Sequence, residues 1–226
     1  MNKKAEKIST LFVCMGNYCR SPAAEAIANA IIGKRKLEHF FFIDSAGTVD
    51  HHIGSPPDLR MREEGRKRGY DLSKIRARQV ANIDFDIFDY ILVMDFQNIR
   101  DLSRINKSMT TEKVRLLASH INLKPAEIPD PYSGGEREFT SCFALIEKSV
   151  TAFFDSIFNE KLTIILSEIK DTFHPSISII YNQYKNYYFV GEEKTHLLFK
   201  DDKFSENFWI EQKKIRKKFK NELFKN

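Results

Sequence analysis

The sequence predicts an α/β fold, with a four-stranded parallel sheet flanked by helices on both faces. Short apolar runs of the kind that form buried parallel strands recur between residues 8 and 118. Segments with helical spacing of apolar residues alternate with these runs, which is the pattern of right-handed βαβ units. The 226 residues, 42% of them hydrophobic, are sufficient for one such domain and a smaller addition.

The first strand and the first helix are predicted at residues 8–13 and 23–32. The strand residues are apolar and partly β-branched. Ser21 is expected to cap the helix, and Pro22 suits its first position. Glu25 is expected in the first turn, where an acidic side chain is favourable.

The later elements are predicted in the same way. Short apolar runs indicate strands at residues 40–43, 90–94 and 114–118. A charged helix at 58–68 follows two prolines and ends at Gly69, and a further helix covers 98–105. Apolar positions on one face predict a long helix at 139–158. Prolines and glycines at 128–135 exclude regular structure, so we expect a rigid, exposed loop there.

A change of character near residue 160 divides the chain into two predicted regions. Residues 1–160 form the α/β domain, and residues 161–226 form a C-terminal α+β extension of unknown fold, a small appended subdomain. The extension holds 13 Lys and Arg against 9 Asp and Glu, so most of the net charge of +5 lies there. It ends in a basic amphipathic helix at 208–224, which either contacts an acidic membrane surface or partner or packs on its own domain.

The composition excludes several classes of protein. No stretch approaches the roughly 18 apolar residues of a membrane span. Residues 1–160 lack the basic excess of a nucleic-acid-binding domain, so we expect no nucleic-acid partner. Three cysteines do not make a secreted disulfide framework, and the N-terminus lacks a signal-peptide pattern, so a cytoplasmic location is expected. His51 and His52 have no cluster of further metal ligands, so we expect no metal.

The most informative stretch is the loop at residues 14–21, between the first strand and the first helix. Five residues separate Cys14 from Arg20, and Ser21 follows at once. The amide groups of such a loop, together with the dipole of the helix that it opens, bind tetrahedral anions and favour the thiolate form of Cys14. Arg20 supplies a bidentate fork for two phosphate oxygens. The loop is therefore interpreted as an oxyanion cradle with its own nucleophile.

Five motifs, taken in order, resemble the low-molecular-weight protein tyrosine phosphatases. They are the Cys14 to Ser21 loop, Asp-Ser-Ala-Gly-Thr at 44–48, Ala-Arg-Gln at 77–79, the strand and aspartate at 88–95, and Asp-Pro-Tyr at 130–132. The resemblance covers about residues 8–158. Several unrelated phosphatase folds share a Cys-x5-Arg loop, so the Asp-Pro-Tyr motif is what identifies this family.

The resemblance implies hydrolysis of phosphotyrosine in proteins through a phosphocysteine intermediate, without metal or cofactor. Cys14 would attack the phosphorus, Arg20 would bind the phosphate, and Asp130 would protonate the leaving phenolate and then activate water. Ser21 is expected to donate a hydrogen bond to the sulfur, and Asn17, which tolerates left-handed backbone, to maintain the shape of the loop. The residues expected around the substrate are Met15, Gly16, Asn17, Tyr18, Cys19, Ser21, His51 and Tyr132.

Three positions depart from the family pattern. Ile75 stands where a histidine often joins a hydrogen-bond network with the loop asparagine and serine, so loop rigidity must come from elsewhere. Tyr18 replaces an aliphatic residue, and His51 lies near the usual aromatic wall of the cleft. Both are expected at the mouth, with a shifted substrate preference that still favours aromatic phosphate. Cys19 is either the partner of Cys14 in a reversible disulfide or a small buried residue.

Three other functions stay open on the sequence alone. A protein arginine phosphatase differs from its relatives at the position of Tyr18. An arsenate reductase shares the fold and the nucleophile loop but needs further cysteines, and none lies between Cys19 and Cys142. A phosphate-binding adaptor without turnover would not require the catalytic residues that this chain retains. Asp95, at a strand end, and Cys142, in the last helix, are interpreted as structural.

Overall fold

The computed structural model describes residues 7–170, except 36, 39 and 111, and leaves out the side chains of residues 159–170. Residues 7–155 belong to one compact unit. The basic helix expected at 208–224, and all of the predicted extension beyond residue 170, lie outside the described residues. The predicted domain boundary near residue 160 stays a prediction.

Four parallel strands form one sheet in the order β2-β1-β3-β4. They are β1 (Ile8–Cys14), β2 (Phe41–Gly47), β3 (Tyr90–Val93) and β4 (Val114–Leu116). Strand β1 lies between two neighbours, and its residues Leu11, Phe12 and Val13 are completely buried. Burial on both faces explains why these three residues are all apolar. The predicted four-stranded parallel sheet is confirmed.

The helices alternate with the strands, as predicted. They are α1 (Arg20–Lys34), α2 (Leu59–Lys67), α3 (Asp84–Ile87), α4 (Phe96–Ile105) and α5 (Glu136–Lys170), with a 3-10 helix at Leu117–Ile121. Helix α5 begins before the predicted residue 139 and continues beyond residue 158. The apolar face predicted for it is buried: Phe143, Ile146, Val150, Phe153, Phe154 and Ile157.

Two strand predictions differ from the structure by more than one residue at their carboxyl ends. Strand β2 continues from the predicted end at 43 to Gly47, because the polar residues Asp44 and Ser45 pair with Leu11 and Phe12 of β1. Strand β4 ends at Leu116 instead of 118. Leu117 and Ala118 are fully buried within the 3-10 helix, and an apolar run does not distinguish these two kinds of buried backbone.

The sheet topology places a ligand site at the carboxyl ends of the central strands. The chain passes from β1 to β2 on one side and later returns to β3 on the other, so the strand order reverses between β1 and β3. Crevices at such a reversal are the usual binding sites of open α/β sheets. The loop that follows β1 begins at this crevice. Within the described residues, no helix is long and apolar enough to cross a membrane.

Replacing Phe143 by alanine tests how much the buried face of α5 contributes to stability. Phe143 is fully buried, and its ring centroid lies 5.7 Å from that of Tyr70. We expect the free energy of unfolding to fall by about 3 to 5 kcal/mol, as for other buried Phe to Ala changes, measured by urea denaturation. Leu59→Ala, at a position of α2 that is 57% exposed, is the control. Equal losses in the two variants would contradict the assignment of the core.

Candidate active site

The candidate site is built on the loop that joins β1 to α1. Cys14 is the last residue of β1 and is 3% exposed, and α1 begins at Arg20, which is 2% exposed. A five-residue loop therefore separates Cys14, at the end of the central strand β1, from Arg20, at the start of α1. Two of the three predicted catalytic residues are thus fixed by regular structure, and only residues 15–19 between them are loop.

The predicted start of α1 is wrong. Cys19, not Ser21, occupies the cap position, and no side chain caps the helix; Glu25 lies beyond its first turn. The Ser21 hydroxyl is used elsewhere: its Oγ lies 3.1 Å from the Cys14 sulfur and accepts a hydrogen bond from the Asn17 amide at 2.9 Å. A serine near a helix start caps only when its hydroxyl has no better partner, and the sequence does not show these partners.

Backbone carbonyl groups in and beside the loop accept hydrogen bonds from other segments of the chain. The carbonyl oxygens of Cys14, Met15 and Tyr18 accept hydrogen bonds from the amides of Thr48, Val49 and Asp58, at 3.0, 3.0 and 2.8 Å. Within the described part of the chain, the amide groups of residues 15–19 donate to no other protein group. Successive unpaired amides beside a helix N-terminus form an anion-binding concavity.

A buried hydrogen-bond network supports the loop from behind. Asn17 has the left-handed backbone expected of it, with φ of 50°. Its Nδ2 group donates to Ser21 and to Ser45, both at 2.9 Å, and its Oδ1 accepts from the backbone amide of Arg78 at 2.9 Å. Ser45 in turn donates to Glu25 at 2.6 Å. Ser45 and Glu25 thus supply the support that the sequence, with Ile75 at the usual histidine position, left unassigned.

Glu25 is the terminal group of this network and was not recognised as a site residue from the sequence. Burial raises the pKa of Glu25 to about 7, against the opposing hydrogen bond from Ser45; Asp44 adds to the increase, and Arg78 opposes it. The sequence contains one indication of this role: Glu25 stands between Ala24 and Ala26 in a helix whose neighbouring residues are small and apolar.

Within the described residues Arg20 donates hydrogen bonds to three groups, of which two are carboxylates. Its Nη1 donates to Asp95 at 2.6 Å and to the carbonyl of Ile128 at 3.0 Å, and its Nη2 donates to Asp130 at 2.5 Å. Burial opposes the positive charge, but Cys14, Asp130 and Asp95 raise the pKa of Arg20 overall. Asp95 also caps α4 through the amide of Asn98 at 2.7 Å. It is structural, as interpreted from the sequence, and it also orients Arg20, which the sequence analysis missed.

A cavity of about 310 Å³ lies over the loop. Its lining includes nine of the predicted site residues, and the others are Val49 and His52: Cys14, Met15, Gly16, Tyr18, Cys19, Arg20, Val49, His51, His52, Asp130 and Tyr132. The side chains of Asn17 and Ser21, which were expected around the substrate, do not line the cavity. They belong to the network behind the loop.

The mouth of the cavity is formed by three rings. Tyr18 and His52 are stacked, with ring centroids 4.0 Å apart and planes 8° from parallel. The Tyr132 ring meets Tyr18 edge-on at 6.3 Å. His52 also packs on the loop, since a Cβ atom at Gly16 would lie 2.9 Å from its Cδ2. From the sequence, the exposed His51 was expected at the mouth and His52 was given no role there, but both side chains line the cavity.

The cysteines are free thiols in the structure. Burial, reinforced by Asp58, raises the pKa of Cys19 well above its usual range, and burial raises the pKa of Cys142 to about 12. Cys142 is buried against the domain core, consistent with a packing residue. A reversible disulfide between Cys14 and Cys19 stays a prediction. In the described residues no cluster of His, Cys, Asp and Glu could hold a metal.

The variant Glu25→Gln tests the ionisation of the buried network. Between about pH 4.5 and 7 the folded protein retains a proton on Glu25 that the unfolded chain releases, so this residue makes the free energy of unfolding fall as the pH rises. Glutamine does not ionise. Relative to wild type, the variant should therefore gain about 1 to 3 kcal/mol of stability across this range, measured by urea denaturation. Glu63→Gln, at an exposed position of α2, is the control; a difference independent of pH would contradict the assignment.

Comparisons with known proteins agree with the five sequence motifs. The family model for the low molecular weight phosphotyrosine protein phosphatases matches residues 9–163. The low molecular weight phosphotyrosine protein phosphatase of Homo sapiens is 38% identical over 157 residues, which cover 69% of this chain and 98% of that protein.

Two solved structures show the same fold. YfkJ from Bacillus subtilis is 38% identical, with a TM-score of 0.64, over 70% of this chain and 99% of that one. An arginine phosphatase from Drosophila is 34% identical, with a TM-score of 0.61, over 66% and 96% of the two chains. Residues 9–163, which the family model matches, include the nucleophile loop, the buried network and the Asp130 segment. This chain therefore belongs to the low molecular weight phosphotyrosine protein phosphatases.

Proposed function

We propose that this protein hydrolyses phosphotyrosine in proteins through a phosphocysteine intermediate. Cys14 is the nucleophile, Arg20 binds the phosphate, and Asp130 is the general acid and base. The observation that carries this proposal is the convergence of these three residues, from β1, α1 and a distant loop, on one cavity. The amide groups of residues 15–19, which have no protein acceptor among the described residues, provide the remaining donors for the phosphate oxygens.

The guanidinium of Arg20 has one edge suited to a phosphate. In the described residues its buried Nε has no hydrogen-bond partner, and the adjacent Nη2 is held only by Asp130. These two nitrogens form a planar fork that matches two phosphate oxygens. Asp95 holds the other nitrogen, Nη1, and so keeps the fork in place. An entering phosphate replaces Asp130 on Arg20 and releases this carboxyl group for catalysis.

The chemistry then proceeds in two steps. The Cys14 sulfur forms a bond to phosphorus while the bond to the phenolic oxygen breaks, and protonated Asp130 transfers its proton to that oxygen. In the second step Asp130 accepts a proton from water, which attacks the phosphorus and releases Cys14. Ser21, at 3.1 Å from the sulfur, stabilises the departing thiolate by donating a hydrogen bond.

The rings at the mouth favour an aromatic substrate. The aromatic ring of a substrate whose phosphate lies over the loop would pass beside Tyr18, His52 and Tyr132. Among these three rings, one pair is stacked, one is edge-on and one is tilted. Offset and edge-on aromatic contacts of this kind contribute about 0.5 to 1.5 kcal/mol each. A phosphoserine side chain is too short to use them.

Phosphoarginine is the informative competitor, because one similar structure is that of an arginine phosphatase. The arsenate reductase and adaptor functions find no such support.

Phosphate release from a phosphotyrosine peptide tests the catalytic assignments. Cys14→Ser should lose turnover, because a neutral serine hydroxyl is a much weaker nucleophile than a cysteine thiolate. Asp130→Ala should lower kcat by about 100-fold to 10,000-fold, the usual contribution of a general acid. Cys142→Ala, at another buried cysteine, should keep its activity. Turnover that survives Cys14→Ser would overturn the mechanism.

The substrate class is tested by kcat/KM for peptides with phosphotyrosine, phosphoserine and phosphoarginine. We expect phosphotyrosine to be preferred, and Tyr18→Ala to reduce its advantage over phosphoserine by about 3-fold to 10-fold, the value of one aromatic contact. Phe42→Ala, an exposed aromatic residue of β2 outside the cavity lining, is the control and should leave the ratio unchanged. A preference of the wild type for phosphoarginine would reject the proposed substrate.

A further inference from the structure

Arg60, the second residue of α2, has more partners than its exposure suggests. Its side chain is 42% exposed. Asp58, which caps α2 by accepting from the Arg60 amide at 2.8 Å, also accepts from Arg60 Nε at 3.1 Å and Nη2 at 2.8 Å. Burial opposes the charge of Asp58, but its hydrogen bonds with Arg60 hold the pKa of this carboxyl below its usual value. The paired carboxylate holds the guanidinium in one orientation.

The remaining donors of this guanidinium reach the loop that carries Asp130. Nη1 donates to the carbonyl of Gly134 at 3.1 Å, and Nη2 donates to the carbonyl of Tyr132 at 3.2 Å. The central carbon of the guanidinium lies 4.2 Å from the centroid of the Phe139 ring and 5.8 Å from that of Tyr132. Arg60 therefore holds the loop through two backbone carbonyl groups. These hydrogen bonds depend on the position of the loop and not on which side chains it carries.

Two further hydrogen bonds connect Arg60 to the reacting groups. The amide of Tyr132 donates to the Asp130 carboxylate at 3.1 Å, so the residue held by Arg60 also orients the acid. The amide of Asp58 donates to the carbonyl of Tyr18 in the nucleophile loop at 2.8 Å. The start of α2 thus contacts both halves of the site.

A second anchor is required by the proposed mechanism. In the structure Asp130 is held by Arg20, but phosphate binding takes that contact away at the moment when Asp130 must stay within reach of the leaving oxygen. The contacts of Arg60 with the carbonyls of Tyr132 and Gly134 do not involve Arg20, so the loss of the contact between Arg20 and Asp130 does not itself remove them.

We propose that Arg60 is a positioning residue for the general acid, holding the Asp130 loop against the nucleophile loop during phosphoryl transfer. This inference rests on the proposed function. It concerns the step in which the leaving group is protonated, so it predicts a dependence on the leaving group. Tyrosine, with a phenol pKa of about 10, needs that proton; the more acidic phenol of p-nitrophenyl phosphate needs it far less.

The test compares Arg60→Met with Arg66→Met, an exposed arginine of the same helix. For Arg60→Met we expect kcat/KM to fall about 10-fold to 100-fold with a phosphotyrosine peptide, part of the contribution of a general acid, and much less with p-nitrophenyl phosphate. Arg66→Met should match wild type on both. Equal losses on the two substrates, or no loss on either, would overturn the inference.

A double-mutant cycle with Asp130→Ala separates positioning from general structural damage. If Arg60 acts through Asp130, adding Arg60→Met to Asp130→Ala causes no further loss with the phosphotyrosine peptide; additive losses reject the inference. Arg60→Lys keeps the charge beside Asp58 but does not reach both carbonyl groups, so it should give an intermediate loss. If Arg60→Met does not fold, Arg60→Lys takes its place in the cycle. Full activity of Asp130→Ala would refute the proposed function itself, whereas normal Arg60 variants beside an impaired Asp130→Ala refute only the role of Arg60.

Discussion

The side-chain amide of Asn17 is the contact on which the geometry of the site depends. It is fully buried, and it uses both donor and acceptor atoms to join α1, β2 and the segment at Arg78 to the loop. A buried amide left without such partners costs about 1 to 3 kcal/mol for each lost hydrogen bond. The side chains of Asn17, Ser21, Ser45 and Glu25 satisfy one another behind the loop. Asn17 therefore keeps its left-handed backbone, and among the described residues the amide groups of residues 15–19 have no protein acceptor.

Arg20 shows how one charge serves two states of the site. Without substrate, its charge is balanced by Asp95 and Asp130, so the buried guanidinium is paired. The two carboxylates are not equivalent, since the side chain of Asp95 is 20% exposed and is tied to α4, whereas that of Asp130 is 42% exposed and belongs to a loop. In the proposed mechanism the phosphate replaces the more exposed partner, Asp130. The ion pair between Arg20 and Asp130 would then keep the guanidinium paired until the substrate enters.

Much of the fold and the centre of the site were predictable from the sequence. The alternation of apolar runs and helical periodicity predicted the sheet, and the spacing of Cys14, Arg20 and Ser21 predicted an anion-binding loop. The cap of α1 was predicted wrongly, because a hydroxyl near a helix start has local and distant partners that compete, and only the local ones are visible in a sequence. Glu25, Ser45 and Asp95 were missed for the same reason: each acts through a residue that is distant in the chain.

His52 covers the phosphate loop and also forms part of the mouth. It stacks on Tyr18 while packing so closely on Gly16 that a methyl group would not fit between them. The surface that meets the substrate side chain and the backbone that receives the phosphate are consequently parts of one packed unit. Exchanging the rim to accept a different phosphorylated residue would disturb the anion cradle below it. For an enzyme that acts as proposed, substrate selectivity and turnover would therefore be linked through the contact between His52 and Gly16.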